Sequence, residues 1–338
     1  MFKSGIMLAA ALGAVAMLLT GCSGTPLRHV AVGWQGGVDG GKIIRTSIYA
    51  IKWDDDDLYK LSNGNYPGGT FRAVAANSNT GHIVAVGRST VGTIANAWYS
   101  SDMGVSWLAG NTGTGQFDTE LYGVAYLDHP LLGDSFVAVG QNGTALRSIN
   151  NGQYWVSGNS AVSENLNAIA FGNDRLVAVG DAGSMMRSFD AGQIWIAVSS
   201  GSANRLRGIA YGNGVFIVTG DNGTLLRSTD GDSWQAIDSK TTEHLHAAAF
   251  GYNQNGDPVW VAVGRYGTVR FSEDNGLNWV SRLGASPTQR HLYAVLYAMG
   301  KFVAVGENIT LYTLDGRDWT IGTDIPGNYH HLYGIARP

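Results

Sequence analysis

Ser188-Phe189-Asp190-Ala191-Gly192-Gln193-Ile194-Trp195 is one copy of an eight-residue phrase, Ser-x-Asp-x-Gly-x-x-Trp, that returns along most of the chain. Each copy follows, by a few residues, a strand that reads Val-Ala-Val-Gly or close to it. Asp102 with Trp107 and Asp274 with Trp279 keep the full spacing. Asn150 stands for the carboxylate ahead of Trp155, and the copies built on Asp230 with Trp234 and on Asp315 with Trp319 are one residue shorter. Thr46 to Trp53 keeps only the two ends of the phrase. A unit that repeats in this way is one supersecondary block, which buries its faces by stacking on copies of itself.

Working outward from the phrase, the unit has four parts, plainest in Leu206 to Tyr211, Val215 to Gly220, Gly223 to Ser228 and the segment that begins at Trp234. These read as four short strands, A to D. The glycine that closes strand B recurs as Gly33, Gly87, Gly140, Gly180, Gly220, Gly264 and Gly306, the last five at intervals of 40 to 44 residues. That period suits four-stranded propeller blades, and 48 glycines with only 14% charged residues fit a chain of short strands and tight turns. The first unit, from Val30, lacks a strand A, whereas the chain ends on a strand A, His331 to Ala336, with nothing after it. The fold expected is therefore an all-β, seven-bladed propeller of four-stranded blades, with the C-terminal strand pairing into the first blade and covering its edge.

The phrase has a physical reading as a turn. Asp102, Asn150, Asp190, Asp230, Asp274 and Asp315 can accept backbone N–H groups ahead of them, and the glycine tolerates positive φ. Trp107, Trp155, Trp195, Trp234, Trp279 and Trp319 each supply a large ring with one N–H to place. Residues repeated around a ring serve the scaffold, so these carboxylates are expected to be structural rather than catalytic or metal-binding. The phrase resembles the Asp-box of the sialidase-like (BNR) repeat superfamily, and the longer unit looks like the repeats of the photosystem II assembly and stability factor family. The resemblance implies a propeller; it does not choose among hydrolase, receptor and assembly factor.

The N-terminal segment carries Lys3, an apolar run from Ile6 to Leu19, then Leu19-Thr20-Gly21-Cys22, the pattern of a bacterial lipoprotein signal cleaved before the cysteine. The run is shorter than the roughly 20 residues of a membrane-spanning helix. Residues 1–21 are thus expected to be a signal peptide, residues 22–28 a lipidated tether and residues 29–338 the propeller. Cys22, the sole cysteine, is the expected lipidation site, and Ser23 in place of Asp favours the outer membrane where a cell has one. A net charge of −4 with scattered arginines excludes a nucleic-acid partner. No cofactor is implied. Asp54 to Asp57 reads as a solvated strand edge.

Where repeated positions build the scaffold, variable positions at one rim are the candidates for binding. The residue after the first apolar residue of strand A gives Arg72, Tyr122, Asn167, Arg207, His246, Tyr293 and Tyr333; the residue after the strand B glycine includes Arg88, Asp181, Asp221, Arg265 and Glu307. His244, His291 and His331 share one position ahead of the strand A leucine, with His330 and His246 beside them. This cluster reads as repeat drift or a ligand-contacting patch rather than a metal site, because equivalent positions on neighbouring blades rarely converge on one ion. The recurring Arg45, Arg147, Arg187 and Arg227 read as a shared structural hydrogen bond, while the assembly-factor resemblance keeps an arginine-lined binding face as the alternative.

Two functions follow as expectations. The first is a membrane-anchored, non-catalytic binding or assembly platform with a protein partner in the cell envelope. The second is a sialidase-like glycoside hydrolase or a glycan-binding protein; here Asp181 and Asp221 are the only neighbouring rim carboxylates to pair, and the Arg-Ile-Pro phrase of sialidases is missing. Moving residues 23–338 behind an ordinary secretory signal should release the chain into the soluble fraction. A salt-washed membrane pellet that still holds it would require an anchor other than lipid on Cys22.

Overall fold

The computed structural model describes residues 30–35, 41–45, 70–77, 79–88, 96–112, 119–281, 287–322 and 330–336. Cys22 with its signal and tether, the Thr46 to Trp53 phrase and the acidic run Asp54 to Asp57 lie outside the described residues.

Six antiparallel sheets of four strands, I to VI in chain order, succeed one another. Sheet IV shows the pattern: strand A Leu206–Gly212, B Val215–Gly220, C Leu225–Ser228 and D Gln235–Ile237, paired in sequence order. The six A strands are Thr70–Asn77, Leu121–Leu127, Leu166–Gly172, Leu206–Gly212, Leu245–Tyr252 and Leu292–Ala298. Each touches the next around a central channel, and His330–Ala336 touches both the last and the first, so the ring closes. His330–Ala336 belongs to a further sheet with Val30–Gln35 and Gly41–Arg45.

The expectation of seven four-stranded blades is corrected here. Among the described residues six blades have four strands, and the sheet that joins the N- and C-terminal strands has three. Its fourth strand was expected near Trp53, which lies outside the described residues; in the sequence Ile48 and Ala50 occupy the places of the turn's Asp and Gly. The sequence there lacks both the acceptor and the positive-φ residue that set the C–D turn of every other unit.

The body of strand B is apolar, but for Thr219 in sheet IV, because both faces of each blade pack on a neighbouring blade, so strict alternation is lost. Val177, Ala178 and Val179 in sheet III, and Val303, Ala304 and Val305 in sheet VI, are fully buried. The core is accordingly a set of seams. Leu166 and Trp195 of sheet III pack with Val137 and Val139 of sheet II, and Trp279 of sheet V packs with Ile217 of sheet IV. Each such Trp fills the seam with the preceding blade, at a burial worth about 2–3 kcal/mol or more by area.

The turn phrase works as a closed hydrogen-bond circuit. Ser188 Oγ donates to Asp190 Oδ1 (2.7 Å) and accepts the Gly192 N–H (2.9 Å); Asp190 accepts the Ile194 N–H (3.0 Å), and Trp195 Nε1 donates to Gly192 O (3.1 Å). Gly192, at φ +85°, supplies the positive-φ corner. Asn150 performs the same task through its amide oxygen, accepting the Tyr154 N–H at 3.0 Å, so the carboxylate charge is not needed. In the shortened copy built on Asp230, the Ser233 and Asp232 N–H groups hold the Asp230 carboxyl down at about 2 and Trp234 Nε1 finds no partner, whereas in the other shortened copy Trp319 Nε1 donates to Gly316 O at 3.1 Å. Arg187 pairs with Asp232, and Arg227 Nε donates to Asn275 O (2.9 Å), each tying its blade to the next one's turn.

Removing residues 330–338 leaves the edge of Val30–Gln35 unpaired and the ring open between sheets VI and I. Calorimetry should find aggregation or loss of the single cooperative transition; a truncated chain that melts like the full one would contradict closure by this strand.

Candidate functional site

The strand B glycine determines how the other end of each blade is built. A Cβ on Gly180 would lie 2.0 Å from Asn165 O, and the same approach, between 2.0 and 2.5 Å, occurs at Gly87, Gly140, Gly220, Gly264 and Gly306. Only glycine lets the start of strand A cross so close to the end of strand B. The next residue then donates its N–H to that same neighbour: Gln141 to Glu120 O, Asp181 to Asn165 O, Asp221 to Arg205 O, Arg265 to His244 O and Glu307 to His291 O, each at 2.9 Å. The B–C turns and the starts of the A strands therefore share one end of the ring, and the Asp-containing turns occupy the other.

At this end the channel opens into a cavity of about 440 Å³. All seven residues that follow the first apolar residue of strand A line it: Arg72, Tyr122, Asn167, Arg207, His246, Tyr293 and Tyr333. Below, a narrower space of about 200 Å³ runs between the A strands past small residues such as Gly123, Gly208 and Ala247.

Three of the seven reach across to the next blade. Arg72 Nε donates to Glu120 Oε1 (2.7 Å), Asn167 Nδ2 to Leu206 O (2.8 Å), and His246 Nδ1 to Leu292 O (2.8 Å). The half-circle from sheet I to sheet IV is charged but paired. Besides Arg72 with Glu120, Arg205 Nε meets Asp181 Oδ1 at 2.9 Å and Arg207 pairs with Asp221. The other half is aromatic: His246 stacks on Tyr293 (ring centroids 5.4 Å), Tyr293 packs on Tyr333 (5.1 Å), and the Arg72 guanidinium lies over Tyr333 at 5.1 Å. Burial pushes the Tyr293 hydroxyl up to about 12 and holds His246 down at about 4, so the imidazole is neutral near pH 7.

The histidines ahead of strand A have a local task. His244 Nδ1 accepts the Asn222 N–H (3.0 Å) and His291 Nδ1 accepts the Tyr266 N–H (3.1 Å), both donors sitting at positive φ in the preceding blade's B–C turn. Asn165 Oδ1 does the same for Asn142 (3.0 Å). The position needs an acceptor, which histidine and asparagine both provide. His331 stacks on Tyr333 at 6.2 Å, and the side chain of His330 lies outside the described residues. Among the described residues no group of three or more His, Cys, Asp or Glu is arranged to hold a metal ion.

Arg265 lies in the B–C turn of sheet V, its guanidinium 5.3 Å over Tyr266, and Arg88 is exposed at the end of strand B in sheet I. Neither lines the cavity. Glu120 and Arg205 do line it and were missed by sequence reasoning, although they occupy the very position at which His244 and His291 drew notice. Asp181 already accepts from Arg205, Asn165 and Asn167, and Asp221 from Arg207. Both carboxylates are spent on holding the rim together.

The solved structure described as YCF48 bound to D1 peptide superposes with a TM-score of 0.57 at 18% identity, covering 79% of this chain and 90% of that one. The fold is a β-propeller resembling YCF48. YCF48 from Cyanidioschyzon merolae gives a TM-score of 0.56 at 15% identity, covering 75% of this chain and 85% of that one. The computationally designed Ika8 protein gives 0.58 at 14%, covering 90% and 86%. No family model and no curated protein matches the chain.

His246 generates a pH signature. Its folded value of about 4 lies below the 6.5 of a free imidazole, so as pH falls the unfolded chain takes up the proton first. Stability contributed by the neutral ring is full above pH 6.5 and declines to a plateau near pH 4, by at most about 3 kcal/mol. His246→Asn, which copies Asn167 and its bond to the next blade, should make urea-unfolding stability fall less steeply between pH 6.5 and 4, the remaining slope coming from carboxylates such as Asp230 that are held low in the folded chain. An unchanged slope in the variant would show that His246 is not buried neutral.

Proposed function

We propose that the chain is a non-catalytic binding platform, held at the cell envelope by lipid on Cys22 and facing a macromolecular partner with the mouth end of its propeller. One observation carries this reading: the positions that repeat are consumed in the scaffold, whereas the positions that vary around the ring converge on a single cavity. Loops and rims on a rigid frame are where recognition is placed, and Tyr and Arg, the residue types gathered here, most often carry interface energy. A protein partner is favoured because YCF48, a propeller of similar shape, is described with a peptide bound. Arg88 and Arg265, outside the cavity, would meet such a partner on the surrounding rim. Glycoside hydrolysis is the weaker reading, because a carboxylate pair needs one group to carry a transferable proton and both rim aspartates are engaged by arginines.

Substitution separates the roles. Arg88→Ala and Arg265→Ala should weaken capture of an envelope protein with no change in melting temperature. Trp195→Ala should lose about 3–5 kcal/mol of stability and affect capture only through unfolding. Turnover of a chromogenic glycoside that vanishes in Asp181→Asn or Asp221→Asn would overturn the non-catalytic reading.

A further inference from the structure

We infer that the cavity at the mouth is a binding site for an uncharged sugar ring, the terminal residue of a neutral glycan. The inference rests on the reading of the mouth as the recognition site and names the group it takes; the rim outside the cavity is left to the protein partner.

Charge balance is the first argument. Arg72, Arg205 and Arg207 each meet a carboxylate of their own, Glu120, Asp181 and Asp221. Glu120 lines the cavity beside the three arginines, while Asp181 and Asp221 stand outside the lining as the partners of Arg205 and Arg207, so each guanidinium group is offset by its own carboxylate. Neither sign of ligand is steered in or held by net charge.

The second argument is the mixture of donors and acceptors. A guanidinium has five N–H groups, so Arg207 keeps donors beyond the Nε it gives to Asp221. Glu120 gives one carboxylate oxygen to Arg72 and has a second to offer. His246 donates through Nδ1 to Leu292 O, which leaves Nε2 of the neutral ring as an acceptor. The Tyr122 and Tyr293 hydroxyls can act in either sense. A lining that mixes donors with acceptors, its guanidinium groups each already ion-paired, matches hydroxyl groups, each of which donates and accepts. A carboxylate can only accept and an ammonium can only donate.

The third argument is shape. The run His246, Tyr293, Tyr333 gives the cavity one continuous aromatic wall, with successive ring centroids at 5.4 and 5.1 Å. A sugar ring has the same two-sided character, with hydroxyls at its edge and C–H groups on its face, so the hydroxyl edge meets the ion-paired wall and the C–H face meets the aromatic one. The volume of about 440 Å³ lies within the range of small-ligand sites. The floor narrows between the A strands, so the site takes the end of a chain rather than its middle.

The test is calorimetric titration of the full chain in detergent with four neutral trisaccharides (maltotriose, cellotriose, chitotriose and mannotriose), beside sialyllactose, a uronic-acid trimer and a tetrapeptide with a free carboxylate. At least one neutral trisaccharide should bind with a Kd below about 1 mM, and its affinity should change less than about twofold from about 50 to 500 mM NaCl. Arg207→Ala and Tyr293→Ala should weaken it about tenfold or more, with Tyr293→Phe in between and Ile149→Ala at the outer edge unchanged. Melting curves establish that the variants are folded, and where Arg207→Ala fails that check, Arg207→Lys takes its place. Preference for a charged ligand, with affinity that falls as salt rises, would overturn the inference. So would the absence of binding by any neutral trisaccharide at about 10 mM while the rim still captures its protein partner; that outcome leaves the platform standing, whereas loss of both activities removes the platform as well.

Discussion

A carbonyl oxygen laid against a glycine is the contact on which the mouth end of this molecule depends. In all six four-stranded blades the residue leading into strand A sits so close to the end of strand B that a Cβ would come within 2.0 to 2.5 Å of its oxygen. In five of them, sheets II to VI, the next residue donates its N–H to the same carbonyl, which anchors the B–C turn beside the start of strand A. The side chains on either side of the contact are then fixed in place around the channel. A rigid frame holds them, so their chemistry varies from blade to blade while their positions do not.

What stands at those positions divides into links and surfaces. Asn167 and His246 each donate to a carbonyl of the following blade, and Arg72 reaches that blade through Glu120. These bonds fasten the ring at its narrow end, as Arg187 and Arg227 fasten it at the other. The same links leave a mouth with paired charges on one side and packed rings on the other. A cavity of this kind discriminates by hydrogen-bond pattern and shape, since unmatched polar edges inside it are costly to leave unpaired.

Much of this was legible in the sequence because repetition fixes register. Once Val177, Ala178, Val179 and Gly180 are aligned with Val303, Ala304, Val305 and Gly306, the strands and both turns follow, and so does the set of residues from Arg72 to Tyr333 that the structure gathers at one mouth. Less legible was anything that departs from the repeat. Among the described residues the sheet that joins the ends has three strands, not four, and the phrase around Ile48 and Ala50 lacks the turn's two defining residues. Glu120 and Arg205 went unread because their position was noticed only where it holds histidine. The task of that histidine, accepting an N–H from the neighbouring blade's turn, depends on a contact between blades that spacing along the chain cannot reveal.

Site-specific photo-crosslinking in living cells tests the central claim, that the variable mouth and not the repeated scaffold meets the ligand, without knowing that ligand beforehand. A benzophenone side chain placed at Tyr333, at the mouth, is compared with the same group at Val156, exposed on an outer strand. Discrete adducts from the Tyr333 position and none from the Val156 position are the predicted result. Adducts from Val156 with none from Tyr333 would contradict the account and move the working surface to the outside of the ring.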